Sequence, residues 1–339
     1  MEKVIKSYKG FNKDMTCRGF QYEEGKEYEE ETADACHSGF HACEYPLDCL
    51  GYYSPNESVY HEVEQNGEFD RGEDDSKVAS TKIKIGARLD ISGLVKAAID
   101  FTMSRVKKEA ESDEDYGASS ATEDYGASSA TGYKGASSAT GDYGASSATG
   151  DCGASSATGY KGASSATGDC GASSATGNCG ASSATGYKGA SSATGYYGAS
   201  SATGYYGASS ATGDCGASSA TGYKGASSAT GDYGASSATG NCGASSATGY
   251  KGASSANDSE SVAVAWGYKG KAMGVIGSHI VLAEWKYIGS KEDDRYDRAE
   301  QEAWEFVGAK MFRVDGEKVK PDTWYRLENG ELVEVENAD

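Results

Sequence analysis

From Gly117 to Gly252 the pentapeptide Gly-Ala-Ser-Ser-Ala begins every nine residues, sixteen times without an insertion, and this frame constrains the fold more than any other feature. The full unit is Gly-Ala-Ser-Ser-Ala-Thr-Gly followed by a variable pair, with Glu123 in place of the second Gly in one early copy. Such a composition allows two readings, a disordered Gly/Ser linker or a β-solenoid. A flexible linker tolerates slips of spacing, because its end-to-end distance grows only as the square root of its length. Here the frame never slips. It also runs on beyond the array, since Tyr268-Lys269-Gly270 falls eighteen residues after Tyr250-Lys251-Gly252, where the chain has become strand-like around Ser261–Trp266 and Ile280–Ala283. A polar repeat that passes in phase into apolar strand predicts one continuous stack, a β-solenoid.

Two nonamers make a natural coil of two short strands and two turns, so sixteen copies predict eight coils. At a strand spacing of ~4.8 Å such a block is about 38 Å long. Ala at the second and fifth unit positions are three apart, so both can face inward only across a corner or bulge. Which rows lie inside stays open at this stage. Glycines suit the corners, and Ser and Thr suit stacked ladders between rungs. An Ala/Ser/Gly interior buries little apolar area, so backbone ladders and stacked tyrosines must supply much of the stability.

The variable pair is correlated. Tyr is followed by Lys at Tyr133-Lys134, Tyr160-Lys161, Tyr187-Lys188, Tyr223-Lys224 and Tyr250-Lys251, and by Tyr at Tyr196-Tyr197 and Tyr205-Tyr206. Asp or Asn in the first place is followed only by Tyr or Cys, which predicts one shared local environment for the two side chains. The five Tyr-Lys pairs are the candidate binding residues, since regularly spaced rings and ammonium groups suit a protein or glycan along the solenoid face. Regular Ser/Thr rows also admit an ice-binding reading.

The flanks differ from the array. Residues 1–110 read as an α+β N-terminal domain, with alternating strands at Val59–Glu64 and Lys82–Ile85 and a helix from an N-cap at Ser92 to about Lys108. Residues 111–283 read as the solenoid. Residues 284–339 read as a C-terminal cap, with a charged helix over about 291–309 and two hairpin signals, Asp315-Gly316 and Asn329-Gly330, around Trp324 and Tyr325. An open solenoid end presents an unpaired strand edge, so both flanks are expected as caps.

The chain carries 31 basic and 51 acidic residues, a net charge of −20. With eleven acids against five bases in 111–256, that block holds −6 and the flanks −14. No basic stripe is available to displace counterions from phosphates, which excludes nucleic acid and anionic membrane as expected partners. No run of 18 apolar residues spans a bilayer. Charges at Glu2, Lys3, Lys6 and Lys9 occupy the place of a signal peptide's apolar region, so a bacterial cytoplasm, or a virion, is the expected location, with the nine cysteines reduced. Five of them (Cys152, Cys170, Cys179, Cys215, Cys242) share a repeat slot with Tyr and Lys, as no metal or disulfide site would allow. Cys36-His37 through His41, Cys43 and Cys49 are zinc-ligand types without a Cys-x-x-Cys pair, and read better as a buried core cluster. No metal or cofactor is expected, and self-association stays open.

Three resemblances attach to particular residues. The order Tyr8-Lys9-Gly10, Gly39-Phe40-His41-Ala42-Cys43, Pro46-Leu47 to Tyr52-Tyr53 and Val59–Glu64 is similar to the split β-core of ADP-ribosyltransferases, with Tyr8 or Lys9 in the place of that family's first-strand His or Arg. The resemblance implies a nicotinamide-dinucleotide cleft and places Glu62 or Glu64 on the acidic strand. Ser261–Ala265 followed by Gly267–Gly274 resembles the head of YadA-type trimeric adhesins, which implies a parallel β-roll. The whole chain, with its Gly-Phe-His-Ala-Cys segment, its array and its Asp315–Tyr325 stretch, resembles an uncharacterised family encoded largely in bacteriophages and prophages. The expected protein is therefore mainly β, a nonapeptide-repeat β-solenoid with about two nonamers per coil and small α+β caps. Its expected role is non-enzymatic, structural or binding, with an ADP-ribosyltransferase-like N-terminal domain and a glycan- or ice-binding solenoid as alternatives.

Overall fold

The computed structural model describes residues 4–35, 37–72, 75–105, 107–113, 117–291 and 301–335, and in it the array is a β-solenoid of about nine turns from residue 118 to 282. Units form short strands over their Ala-Ser-Ser-Ala-Thr segments. Each pairs in parallel and in register with the strand two units away, as in Ala163↔Ala181, Ser164↔Ser182 and Thr167↔Thr185. Alternate units thus build two facing sheets, which flanking strands extend to twelve and eleven strands.

The period of two along these strands decides the interior. Ser at the third and Ala at the fifth unit position point inward, with Ser182 and Ala184 at 0% and 1% exposure. These rows are two apart, so a straight strand suffices and no bulge is needed. The buried serines from Ser119 to Ser254 form one chain of sixteen hydroxyls, each bonded to the serine nine residues away on the opposite sheet. Ser182 donates to Ser173 at 3.0 Å and accepts from Ser191 at 2.9 Å. A buried hydroxyl left without a partner costs about 1–3 kcal/mol, and this zigzag gives each serine one. Beyond Ser254 the inward rows become Ala263, Ala272, Ile280 and Leu282, and the core turns apolar.

Glycine at the seventh position answers to the stacking itself. Gly186 has φ +155°, and a β carbon on it would overlap the carbonyl oxygen of Gly168 in the coil below. Glu123 lies in the first coil, with no repeat unit beneath it.

The N-terminal region is a small closed barrel. Its strands are β1 (Ile5–Asn12), the hairpin β2 (Thr16–Cys17) and β3 (Phe20–Gln21), β4 (Glu27–Glu29), β5 (Phe40–Cys43), β6 (Ser58–Arg71) and β7 (Lys77–Leu89). β1 pairs with β5 and β6, and β7 pairs with β5, β6 and β4, all antiparallel. Phe11, Phe40, Val63, Ile83 and Ile85 fill it. Helix α1 (Ile91–Met103) follows, capped by Asp90, whose Oδ1 accepts from Gly93 N–H at 2.7 Å. The cap is therefore Asp90 and not Ser92, whose hydroxyl faces Ser201 of the rod. The helix also ends earlier than expected. Val106 lies outside the described residues, and Lys107–Ser112 form strand β8, which pairs in parallel with Gly126–Ala130.

The N-terminal region lies along one face of the rod rather than over its end. α1 crosses the five strands from Ala145–Thr149 to Ala217–Thr221 of the twelve-stranded sheet. A 13-residue helix is about 20 Å long, which matches four strand spacings of ~4.8 Å. Leu94, Val95, Ala98 and Ile99 pack down onto alanines, whose single methyls leave the sheet flat enough to receive a helix.

At the C-terminal end both sheets turn antiparallel. His279–Lys291 pairs with Gln301–Arg313, and Lys271–Gly274 pairs with Tyr325–Glu328. The helix expected over 291–309 is thus corrected: 301–309 are strand, because they pair antiparallel with 283–291 of the preceding strand, with a register shift between Phe306 and Gly308, and 292–300 lie outside the described residues. Asn329-Gly330, with φ +51° and +75°, turns Tyr325–Glu328 into Glu331–Glu334 as expected of a hairpin. Asp315-Gly316 makes a loop instead, since Asp315 Oδ1 accepts from the N–H groups of Glu317, Lys318 and Val319.

Candidate functional site

The Tyr-Lys pairs do not form one column. Parity places Tyr133-Lys134, Tyr187-Lys188 and Tyr223-Lys224 on one corner of the rod, and Tyr160-Lys161 and Tyr250-Lys251 on the other. Within pairs the ammonium lies over its neighbour's ring, at 5.7 Å for Lys134 on Tyr133, 5.9 Å for Lys224 on Tyr223 and 5.8 Å for Lys251 on Tyr250. In these pairs a cation–π contact gives the two side chains one shared environment. On the first corner Tyr187, Tyr205 and Tyr223 stack with centroids 5.4 and 4.9 Å apart. Their faces cover one another, and the side chains stay partly exposed.

The second corner docks the N-terminal region. Lys161 Nζ pairs with the carboxylate of Asp48 at 2.8 Å, with both side chains 5% exposed. Burial opposes the Lys161 charge, but the Asp48 carboxylate outweighs it and raises the lysine's pKa. The same carboxylate accepts from Ser76 N–H and from Cys179 Sγ at 3.7 Å, so the buried charge is well provided. Burial pushes the Cys179 thiol up to about 12. Tyr45 O–H donates to Cys179 O, the Tyr197 ring closes on Gly51, and Asn56 donates to Lys251 O. Lys161, Cys179, Tyr197 and Lys251 are therefore docking residues.

A cleft of about 290 Å³ opens in the barrel itself. Its lining includes Lys9, Gly10, His41, Tyr52 and Tyr53, so the segments singled out in the sequence do converge. Lys9 Nζ donates to His41 O at 2.8 Å, and a side chain on Gly10 would collide with the Tyr53 ring. Burial, with Lys9 nearby, lowers the His41 pKa. Burial and the bond to Asp75 push Tyr52 up to about 12. Arg18, Phe20 and Tyr22 of the β2–β3 hairpin, and Lys77 of β7, also line the cleft, and sequence spacing carries no sign of them. The acid among the lining residues is Glu30, which accepts from Gly39 N–H at 3.1 Å. Glu62 pairs with Lys6 at 2.8 Å and Glu64 is exposed, so neither lines the cleft. Cys36 lies outside the described residues, His37 turns to Asp34, and Cys43 and Cys49 are buried thiols. Among the described residues no three His, Cys, Asp or Glu side chains gather as a metal site, and no helix is long and apolar enough to cross a membrane.

Residues 5–97 match a domain of unknown function, DUF7666. The match takes in the barrel, its cleft and the first half of α1, and stops before the array. No curated protein and no solved structure matches the chain.

Proposed function

We propose that the chain is a non-enzymatic structural and binding protein, a rod of phage or prophage origin whose bare face receives an amphipathic helix of a protein partner. One observation carries this reading. The two sheets present the same outward Ala/Ser/Thr sequence, yet Ala145, Ala163, Ala181, Ala199 and Ala217 are buried beneath α1 while Ala154, Ala172, Ala190, Ala208 and Ala226 are exposed. A shallow groove of about 410 Å³ crosses these last five strands. One face is covered by a helix and its counterpart of the same sequence is bare, which supports a second helix there. The origin rests on the sequence resemblance alone.

A fluorescent, hydrocarbon-stapled peptide of residues 88–105 tests the reading on the full chain, stapled because so short a helix is marginal in water. Saturable binding that is lost in Ala190→Glu and Ala208→Glu is expected. No binding, or binding indifferent to both changes, overturns it.

A second reading, an ADP-ribosyltransferase-like N-terminal domain, is favoured by the convergence of Lys9, Gly10, His41, Tyr52 and Tyr53 on one cleft. The positions of Glu62 and Glu64 weigh against it. Labelled NAD separates the two, because a structural domain transfers no label.

A further inference from the structure

Where the barrel, the last coils and the C-terminal hairpin meet, positive charges gather with few partners. The Lys13 ammonium, just past β1, is buried without a hydrogen-bond acceptor. It lies 4.6 Å from the centroid of the Trp324 ring, and the Lys271 ammonium, on a side chain 4% exposed, lies 5.7 Å from the same ring. Arg326 beside them is paired to Glu328 through one terminal nitrogen at 3.2 Å, and its Nε–H is buried and unpaired. Besides Glu328, Glu57 reaches this group, 3.8 Å from Lys271. A chain with 51 acidic residues has no shortage of carboxylates to place here. Burying an ammonium without a counter-ion in contact costs several kcal/mol, so the unpartnered Lys13 needs a reason. Lys13 and Trp324 also line a cleft of about 670 Å³ between barrel and rod, with Arg88 and the helix-capping Asp90 on its wall.

We propose that this junction binds a tetrahedral oxyanion, a sulfate or phosphate group, at the cleft-lining Lys13, with the Lys271 ammonium close behind it. The anion supplies the missing counter-charge and ties barrel, rod and hairpin together. Burial and the neighbouring Lys271 lower the Lys13 pKa to about 7, with Glu57 opposing. Lys271 is itself lowered, first by burial, with Arg326 and Lys251 adding to the effect. Bound anion restores the proton to Lys13.

Thermal melting of the full chain, free of oxyanions, in sodium sulfate against sodium chloride at equal ionic strength tests the proposal. Sulfate is expected to raise Tm saturably, and Lys13→Gln or Lys271→Gln to weaken its binding about tenfold or more, about 1.4 kcal/mol. Sulfate does not titrate near neutrality, so calorimetry at pH 8 is expected to record proton uptake in the native chain and none in Lys13→Gln. Inorganic phosphate and glucose 6-phosphate distinguish a free ion from a phosphate carried on a larger molecule that fills the cleft. Equal melting in sulfate and chloride overturns the proposal even if no variant folds, and so does undiminished binding in Lys13→Gln.

Discussion

At the scale of the residue, the two glycines of each repeat do different work. Gly186 has its Cα hydrogen against the carbonyl of Gly168, and a methyl there has nowhere to go. A β carbon on Gly189, at the first unit position, meets Ala184 at 3.2–3.5 Å, a tight but tolerable approach. Gly186→Ala is therefore expected to cost at least about 3 kcal/mol, the sum of backbone strain and a displaced coil, and Gly189→Ala less than about 1 kcal/mol. Urea unfolding of the two variants checks the difference. Equal losses would show that the stack adjusts more freely than its geometry says. The spacing of Ser and Ala already contained the inward rows, but the sequence offered two alanine rows and one rule of alternation. Only the paired strands show that the serine row is interior, where hydroxyls bond one another across the rod.

At the scale of the element, docking depends on what the second corner carries. Asp48, Lys161 and Cys179 form a buried polar set on which the short 3₁₀ turn Pro46–Gly51 rests. Removing one partner of such a pair strands the other, and Asp48→Leu or Lys161→Met alone is expected to cost about 3–5 kcal/mol. The double variant is expected to recover most of that loss, as a double-mutant cycle in urea unfolding can measure. None of this was legible in the sequence. Lys161 is one of five Tyr-Lys lysines identical in local sequence, and only the packing of a distant segment makes it a buried ion-pair partner. The helix misplaced over 301–309 has a similar cause: its charges and aromatics suit a helix face or an exposed hairpin equally, and the edge strand His279–Lys291 decided between them. What was legible is what the repeat imposes by itself, namely coil length, corners and the continuation past Gly252.

At the scale of the whole molecule, the barrel spans the rod between fixed points. Lys161, held by Asp48, and Lys251, held by Asn56, are ninety residues apart, which is five coils, or about 24 Å. Deleting 198–215 removes one coil and keeps every later unit on its own sheet. That variant is expected to fold with a lowered Tm, because Asn56 no longer reaches the carbonyl of Lys251. Deleting nine residues moves every later strand to the opposite sheet, and with it the C-terminal hairpins, so it is expected to yield no cooperative thermal transition. Circular dichroism melting of both separates these outcomes, and comparable stability of the two would mean that parity is unimportant.

Tandem nine-residue units invite replication slippage, which adds or drops copies singly and would let such an array drift in length over generations. In this molecule an odd step is expected to invert the architecture, and an even one between the two anchors to cost the Asn56 contact. The span Asp48–Asn56 is thus expected to act as a gauge that disfavours a change of copy number between its two anchors.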